Sequence, residues 1–132
     1  MSNFSIPTGA VLALSIAAWS DAAALTVVKP VDNLMCMDLN MSFEDMRVES
    51  NLPLEYAEPT DKSIVVGNAM SIVFVVKPAK SVNGFLEVVR PNWQHAWIKA
   101  NVLKAHEFHS PYATKCSAAA MSDGSLGFGP DH

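Results

Sequence analysis

One short run of residues sets the strongest requirement on the fold. Residues 72–76 read IVFVV and are apolar at every position, inside the strand-like segment SIVFVVK of residues 71–77. A strand with one face in solvent alternates apolar and polar residues, so this run predicts a strand covered on both faces. We expect Val73 and Val75 to face an outer cover that the two flanking arms of the chain supply.

Other short strand-like segments surround this run. Pro78, the Asn83-Gly84 pair and the Pro91-Asn92 pair supply turn residues between them. Closely spaced short strands of this kind predict an all-β fold, either a small barrel or a sandwich. The length of 132 residues and the 50% hydrophobic content fit one domain with a real core. The segments are 52–57, 63–70, 85–90 and 95–99.

The first 24 residues differ from the rest of the chain. Residues 9–19 form an apolar run, and Ala22-Ala23-Ala24 fits a cleavage site that requires small residues. The run is too short to span a bilayer, which needs about 20 apolar residues. Residues 1–8 contain no Lys or Arg, which leaves a buried helix as the alternative. We predict a signal peptide over residues 1–24 and a periplasmic or secreted protein.

The chain has two cysteines, Cys36 and Cys116. An even number of cysteines in an exported chain predicts a disulfide, with two buried free thiols as the alternative. Closing a loop of this length is worth about 4–5 kcal/mol in the chain-entropy model. We therefore expect this bond to join the two arms and to supply much of the stability.

Two local features outside the strands carry predictions. Ser42 precedes two acidic residues and can cap one short helical turn within residues 40–46. Residues 122–132 are rich in Ser, Gly and Pro, so this tail should be poorly ordered unless Leu126 and Phe128 dock on the domain.

The charge of the chain excludes one class of partner. The net charge is −4 and no run of basic residues occurs. A surface for nucleic acid needs clustered Lys and Arg, so we expect no nucleic-acid partner. We also expect no stable membrane insertion once the signal peptide is cleaved.

Three segments carry a resemblance to a known family. Pro59, Val65-Val66 and Gly67 precede the apolar strand, and NGFLEVV places Gly84, Phe85 and Val88 in the next strand. HAWIKANVL then places Trp97, Ile98 and Leu103 in a closing element. This pattern resembles the bacterial Src-homology-3-like (SH3-like) domain family, in its small exported proteobacterial type. The chain departs from that pattern at Phe85, where the family usually has Trp, and at Ala96, where it usually has Gly.

The resemblance implies a fold and its residue bounds. It implies a small SH3-like barrel of five to six short strands, with a single 3₁₀ turn within residues 99–103. The barrel would occupy residues 51–107, between an N-terminal arm of residues 25–50 and a C-terminal arm and tail of residues 108–132.

The same resemblance suggests where a ligand would bind. Small barrels of this type use an aromatic-lined groove, and the candidate ligand-binding residues here are Tyr56, Trp93 and Trp97. The alternative for Trp93 is packing under an arm. Tryptophan tolerates positive φ poorly, so we expect no tight primed turn at Asn92-Trp93, and a longer turn with Asn92 in a left-handed conformation stays open.

No group of residues in the sequence indicates catalysis. His106 and His109 lie three residues apart, but no Cys pair or Glu-x-x-His accompanies them, so we predict no metal site and no cofactor. Glu55, Glu58 and Asp61 are expected to be solvated charges. The sequence therefore predicts a non-catalytic module that binds a peptide, a cell-wall component or an envelope protein. The alternative is a structural or inhibitory protein that acts through its arms.

Overall fold

The computed structural model describes residues 24–107 and 116–130. The predicted signal peptide and His109 lie outside these ranges, apart from Ala24. Strands dominate both ranges, so the predicted all-β class is confirmed. The helical elements in the described ranges span four residues or fewer, too short to cross a membrane.

Seven strands form the larger sheet, in the order β4-β3-β7-β6-β5-β2-β8, and every pair in it is antiparallel. The predicted strands within residues 52–99 are all present, and the larger sheet also takes in β2, from within residues 25–50. Its strands are β2 (Leu34–Leu39), β3 (Leu54–Tyr56), β4 (Val65–Asn68), β5 (Ile72–Val76), β6 (Phe85–Val89), β7 (His95–Lys99) and β8 (Leu103–Ala105).

The larger sheet curls because β4 and β5 are one bent segment. Only residues 69–71 separate them, yet β4 ends the sheet and β5 lies four strands away. Within the bend, the Ala69 N–H donates to the Pro53 carbonyl on one side, while the Ser71 carbonyl accepts from the Leu39 N–H on the other. In the described residues β4 and β8 remain edges, so the curled sheet is not a barrel closed by hydrogen bonds.

Three further strands make a smaller sheet, in the order β1-β9-β10 and again antiparallel. It brings the two ends of the described chain together, because β1 precedes the larger sheet and β9 and β10 follow it. These strands are β1 (Val27–Val31), β9 (Ala118–Met121) and β10 (Leu126–Phe128).

The concave side of the larger sheet encloses the main core. Val75, Val88 and Ile98 are at most 1% exposed there. They come from the three neighbouring strands β5, β6 and β7. Methionines of β2 pack against the same cluster. Its buried members are Leu39, Ala69, Val73, Val75, Leu86, Val88, Ala96, Ile98 and Leu103.

A second core lies between the two sheets. Phe74 is 4% exposed and packs here, with its ring centroid 5.0 Å from that of Phe128. The predicted cover by the arms is therefore present, but the residues assigned to it were wrong. Val73 and Val75 belong to the main core, and the alternation of the strand turns Phe74 toward the arms instead.

The Cys36–Cys116 disulfide crosses this second core, as predicted. It joins β2 of the larger sheet to the residue that lies two positions before β9. Leu126 is 2% exposed and packs in the same cluster, with Phe128 beside it. The tail therefore docks on the domain through the two residues named for it.

Two predicted local elements are also present. The short helix α1 (Phe43–Met46) begins after Ser42, whose Oγ accepts a hydrogen bond from the Asp45 N–H at 3.1 Å. A 3₁₀ turn at Ala100–Val102 leads from β7 into β8. Another 3₁₀ turn, at Glu49–Asn51, precedes β3.

Candidate functional site

Two of the three predicted binding residues lie side by side on the outer face of the curled sheet. Tyr56 of β3 pairs directly with Trp97 of β7, and cross-strand partners share one face of a sheet. The row continues to Val65 of β4 on one side and to Glu87 of β6 on the other. We call the four residues Val65, Tyr56, Trp97 and Glu87 the aromatic row.

The alternation of β7 explains why Trp97 faces outward. Ala96 and Ile98 are fully buried in the main core, so the residues between and beside them point away from it. Trp97 is half-buried, as is Tyr56, whose ring meets Phe85 edge-on with centroids 5.9 Å apart. The row therefore presents two partly exposed aromatic side chains on a sheet surface.

Charged groups border the aromatic row. His95 Nδ1 lies 2.8 Å from Glu87 Oε2, and Lys99 Nζ lies 3.9 Å from Asp61 Oδ2. Both pairs are substantially exposed, so each contributes little to stability. These pairs place hydrogen-bond donors and acceptors, with charges of both signs, along the aromatic row.

Shallow depressions flank Lys99 beside the row. One is lined by Leu54, Tyr56 and Val102 among others, and the other by Phe85 with residues of the β3–β4 and β5–β6 loops. Every lining residue belongs to the segment between residues 51 and 102. The described residues of the two arms therefore line neither depression.

Trp93 lies apart from the aromatic row, at the tip of the β6–β7 hairpin. The Trp93 N–H donates to the Arg90 carbonyl, and the Arg90 N–H donates to the Gln94 carbonyl, each at 2.8 Å. This pattern is a three-residue hairpin turn whose last position is left-handed. Trp93 occupies that position with φ +70°, in place of Asn92, for which the sequence left a left-handed conformation open.

A contact with the C-terminal hairpin accompanies this strained conformation. The Trp93 indole Nε1–H donates to the Gly124 carbonyl at 2.7 Å, and the Leu126 N–H donates to the Pro91 carbonyl at 2.9 Å. Of the two readings that the sequence left open for Trp93, the structure therefore shows contact with an arm. Trp93 as a whole residue remains 39% exposed.

The left-handed position of Trp93 gives a stability prediction. Trp93→Ala and Trp93→Gly both remove the indole contact, but only glycine removes the steric cost of positive φ, which is about 1–2 kcal/mol. We expect the glycine variant to be more stable than the alanine variant by about 1 kcal/mol in urea denaturation. Equal stability of the two variants would show that the turn does not hold residue 93 in this conformation.

A buried ion pair lies at one end of the curled sheet, where the sequence indicated only solvated charge. Glu55 is 4% exposed, and its Oε1 accepts from Arg90 Nη1 at 2.6 Å. The expectation for Glu55 was wrong because β3 turns this side chain inward, between Leu54 and Tyr56, which are more exposed. No periodic signal in a three-residue strand could have shown that direction.

Gly67 makes room for the ion pair. A side-chain Cβ at this position would lie 2.4 Å from Arg90 Nη2 and 2.8 Å from its Cζ, so the guanidinium packs against the bare backbone of β4. Burial raises the pKa of Glu55, and the charge of Arg90 offsets that rise only in part. A raised folded-state pKa favours folding at low pH, and that contribution is lost as the pH rises through it.

A second buried polar group lies near β8. Asp38 is 6% exposed, its Oδ1 lies 2.7 Å from His106 Nδ1, and its Oδ2 accepts from the Glu107 N–H at 2.9 Å. These contacts anchor the chain where it leaves β8. Within the described ranges, no group of three or more His, Cys, Asp or Glu residues is arranged to hold a metal ion.

Comparison with protein-family models, with curated proteins and with solved structures gives no match for this chain. Function is therefore inferred from the geometry of the aromatic row and from the chemistry of the residues beside it.

Proposed function

We propose that the protein is a non-catalytic binding module that recognises a peptide segment of an envelope protein or of the cell wall. The aromatic row is the contact surface in this proposal, with Tyr56 and Trp97 as its central residues. Aromatic side chains give large contact area at small cost in conformational entropy, which suits a surface that binds an extended segment.

The observation that supports the proposal most is the open outer face of β3 and β7. The arms of the chain cover the neighbouring face around Phe74, and their described residues line neither depression beside the aromatic row. An open surface with aromatic residues beside a covered one is available to a partner.

The proposal includes a fold family and a location. The β6–β7 hairpin, the 3₁₀ turn and β8 follow one another in the order that the SH3-like resemblance implies, which supports an SH3-like origin for the curled sheet. A disulfide is compatible with an oxidising compartment, which supports export to the periplasm or beyond. The proposed module uses no cofactor and no metal.

A second candidate is a structural or inhibitory protein that acts through its arms. The observation in its favour is the exposed strand β1, in which Val28 is 67% exposed and Val27 is also exposed. In that case the partner would meet the smaller sheet, and the aromatic row would be dispensable.

Substitutions on the two surfaces separate these candidates. The oxidised protein is incubated with insoluble peptidoglycan and, separately, with an immobilised library of envelope-protein peptides. Tyr56→Ala should weaken capture about tenfold or more, because truncation of a central aromatic contact costs about 2 kcal/mol. Trp93→Ala should leave capture unchanged and is the matched aromatic control.

The double variant Val27→Ser/Val28→Ser completes this test. Capture that survives Tyr56→Ala but is lost in the β1 variant would overturn the proposal in favour of the arms. Near-ultraviolet circular dichroism of each variant checks that its packing is intact before capture is compared.

A further inference from the structure

A surface cavity of about 240 Å³ lies between the β4–β5 bend and the β6–β7 turn, away from the aromatic row. The Glu55–Arg90 ion pair lines it, and we call it the ion-pair cavity. We propose that the ion-pair cavity binds a carboxylate carried on a short apolar group. This site is separate from the proposed function and does not depend on it.

The apolar wall of the cavity sets the kind of group that fits. Met70, Ile72, Phe74 and Pro91 line it, and Met70 is 49% exposed at its edge. A flexible methionine adapts to ligands of different shape. The volume is below the range of about 300–1,000 Å³ that is usual for drug-sized ligands, so one large side chain or a short acyl chain fits.

The N–H donors of Arg90 indicate that the bound apolar group carries a hydrogen-bond acceptor. A guanidinium offers five N–H donors, and Glu55 takes a single 2.6 Å contact, at Nη1. Arg90 Nε is buried and has no hydrogen-bond partner in the described parts of the chain. A carboxylate that reached Nε and Nη2 from the cavity would supply the two-point pairing that Arg favours and would satisfy a donor that is costly to leave unpaired.

The charge balance of the site couples binding to pH. Arg90 faces Glu55 from the β6–β7 turn, and Asn68 of β4, which also lines the cavity, donates to Glu49 Oε1 at 3.2 Å. A second carboxylate beside Arg90 repels an ionised Glu55, and that repulsion disappears when Glu55 takes up a proton. Since burial already raises the pKa of Glu55, affinity for a carboxylate that is still ionised should rise on mild acidification as Glu55 takes up its proton.

The test uses four probes on the oxidised full-length protein. Hexanoate carries the free acid and hexanamide is its neutral counterpart. A short peptide that ends in leucine is added with either a free or an amidated C-terminus. We expect saturable binding of at least one of the two acids in calorimetric titration, with its neutral counterpart weaker by about tenfold or more.

The two acids distinguish the source of the carboxylate. Binding of the peptide acid alone identifies a C-terminal carboxylate as the ligand, whereas binding of hexanoate alone identifies a free small acid. Failure of both acids to bind, or equal binding of acids and neutral counterparts, would overturn the proposal.

Variants of the ion pair then test the mechanism. Arg90→Lys keeps the charge but loses the planar donors, so it should weaken acid binding about tenfold. Glu55→Gln imitates the protonated side chain and should bind the peptide acid more tightly at pH 7 than the unaltered protein does, without a rise in affinity on mild acidification. Lys99→Gln removes a lysine beside the aromatic row and should change nothing. A rise in affinity on mild acidification that survives in Glu55→Gln would contradict the assignment, and this variant remains informative if Arg90→Lys does not fold.

Discussion

Replacing both Cys36 and Cys116 by alanine is expected to lower the free energy of unfolding by about 3–5 kcal/mol. The bond closes a sequence separation of 80 residues, for which the chain-entropy model gives about 4.5 kcal/mol. It also ties the smaller sheet to β2 across the second core, so its loss should release that sheet before the larger one unfolds.

Urea denaturation and hydrogen exchange check the two parts of this expectation. Amide protection should fall first at Ala119 and Ala120 of β9, while Val75 and Val88 in the main core keep theirs until global unfolding. Ser117→Ala, beside Cys116, is the control that leaves the disulfide intact. A loss below 1 kcal/mol, or a simultaneous loss of protection in both sheets, would show that the arms stay docked without the bond.

Gly67→Ala is expected to lower the free energy of unfolding by about 1–3 kcal/mol, more than the same substitution at an exposed strand position. The added methyl group would overlap the end of the Arg90 side chain, and we expect Arg90 to relieve the overlap by shifting away from Glu55. A buried carboxylate left without its partner costs several kcal/mol, although the 20% exposure of the Arg90 side chain moderates that cost.

A double-mutant cycle separates the lost ion pair from simple crowding. Gly67→Ala in a Glu55→Gln background should cost about 1–2 kcal/mol less than in the unaltered chain, because no buried charge is then stranded. Both stabilities are measured by urea denaturation at pH 7. The same cost in the two backgrounds would mean that Arg90 keeps its contact with Glu55 despite the added methyl group.

The sequence predicted the parts of the fold that have strong local signals. Branched and aromatic residues between Pro and Gly turns located β5, β6 and β7, and Ser42 located the start of α1. The two-sided apolar run of residues 72–76 also predicted a cover from the arms. Its inner and outer faces were reversed, because a period of two shows alternation but does not show which set faces the core.

The sequence could not predict the parts that depend on distant contacts. Ala118, Ala119 and Ala120 have low strand propensity and form β9 only because β1 and β10 pair on either side of them. Glu55 is buried because Arg90 reaches it from 35 residues away, and no local pattern contains that information. Trp93 takes a conformation suited to glycine because its indole docks on a hairpin some 30 residues later.

The aromatic row, too, could be predicted from the sequence only in part. Tyr56 and Trp97 could be selected from the sequence as aromatic residues in a family-like pattern, but their pairing across β3 and β7 is a property of the assembled sheet. Val65 and Glu87 complete the row through their register with these two residues, which short strand segments do not reveal.

The most direct test of the proposed binding surface is the indole region of a nitrogen–proton correlation spectrum, recorded while a captured peptide or cell-wall fragment is added to the oxidised protein. The aromatic row predicts that the Trp97 indole signal moves with saturation, while the Trp93 signal stays in place because its Nε1–H is held by the Gly124 carbonyl. Movement of the Trp93 signal with Trp97 unchanged would contradict the account and would place the partner on the arms.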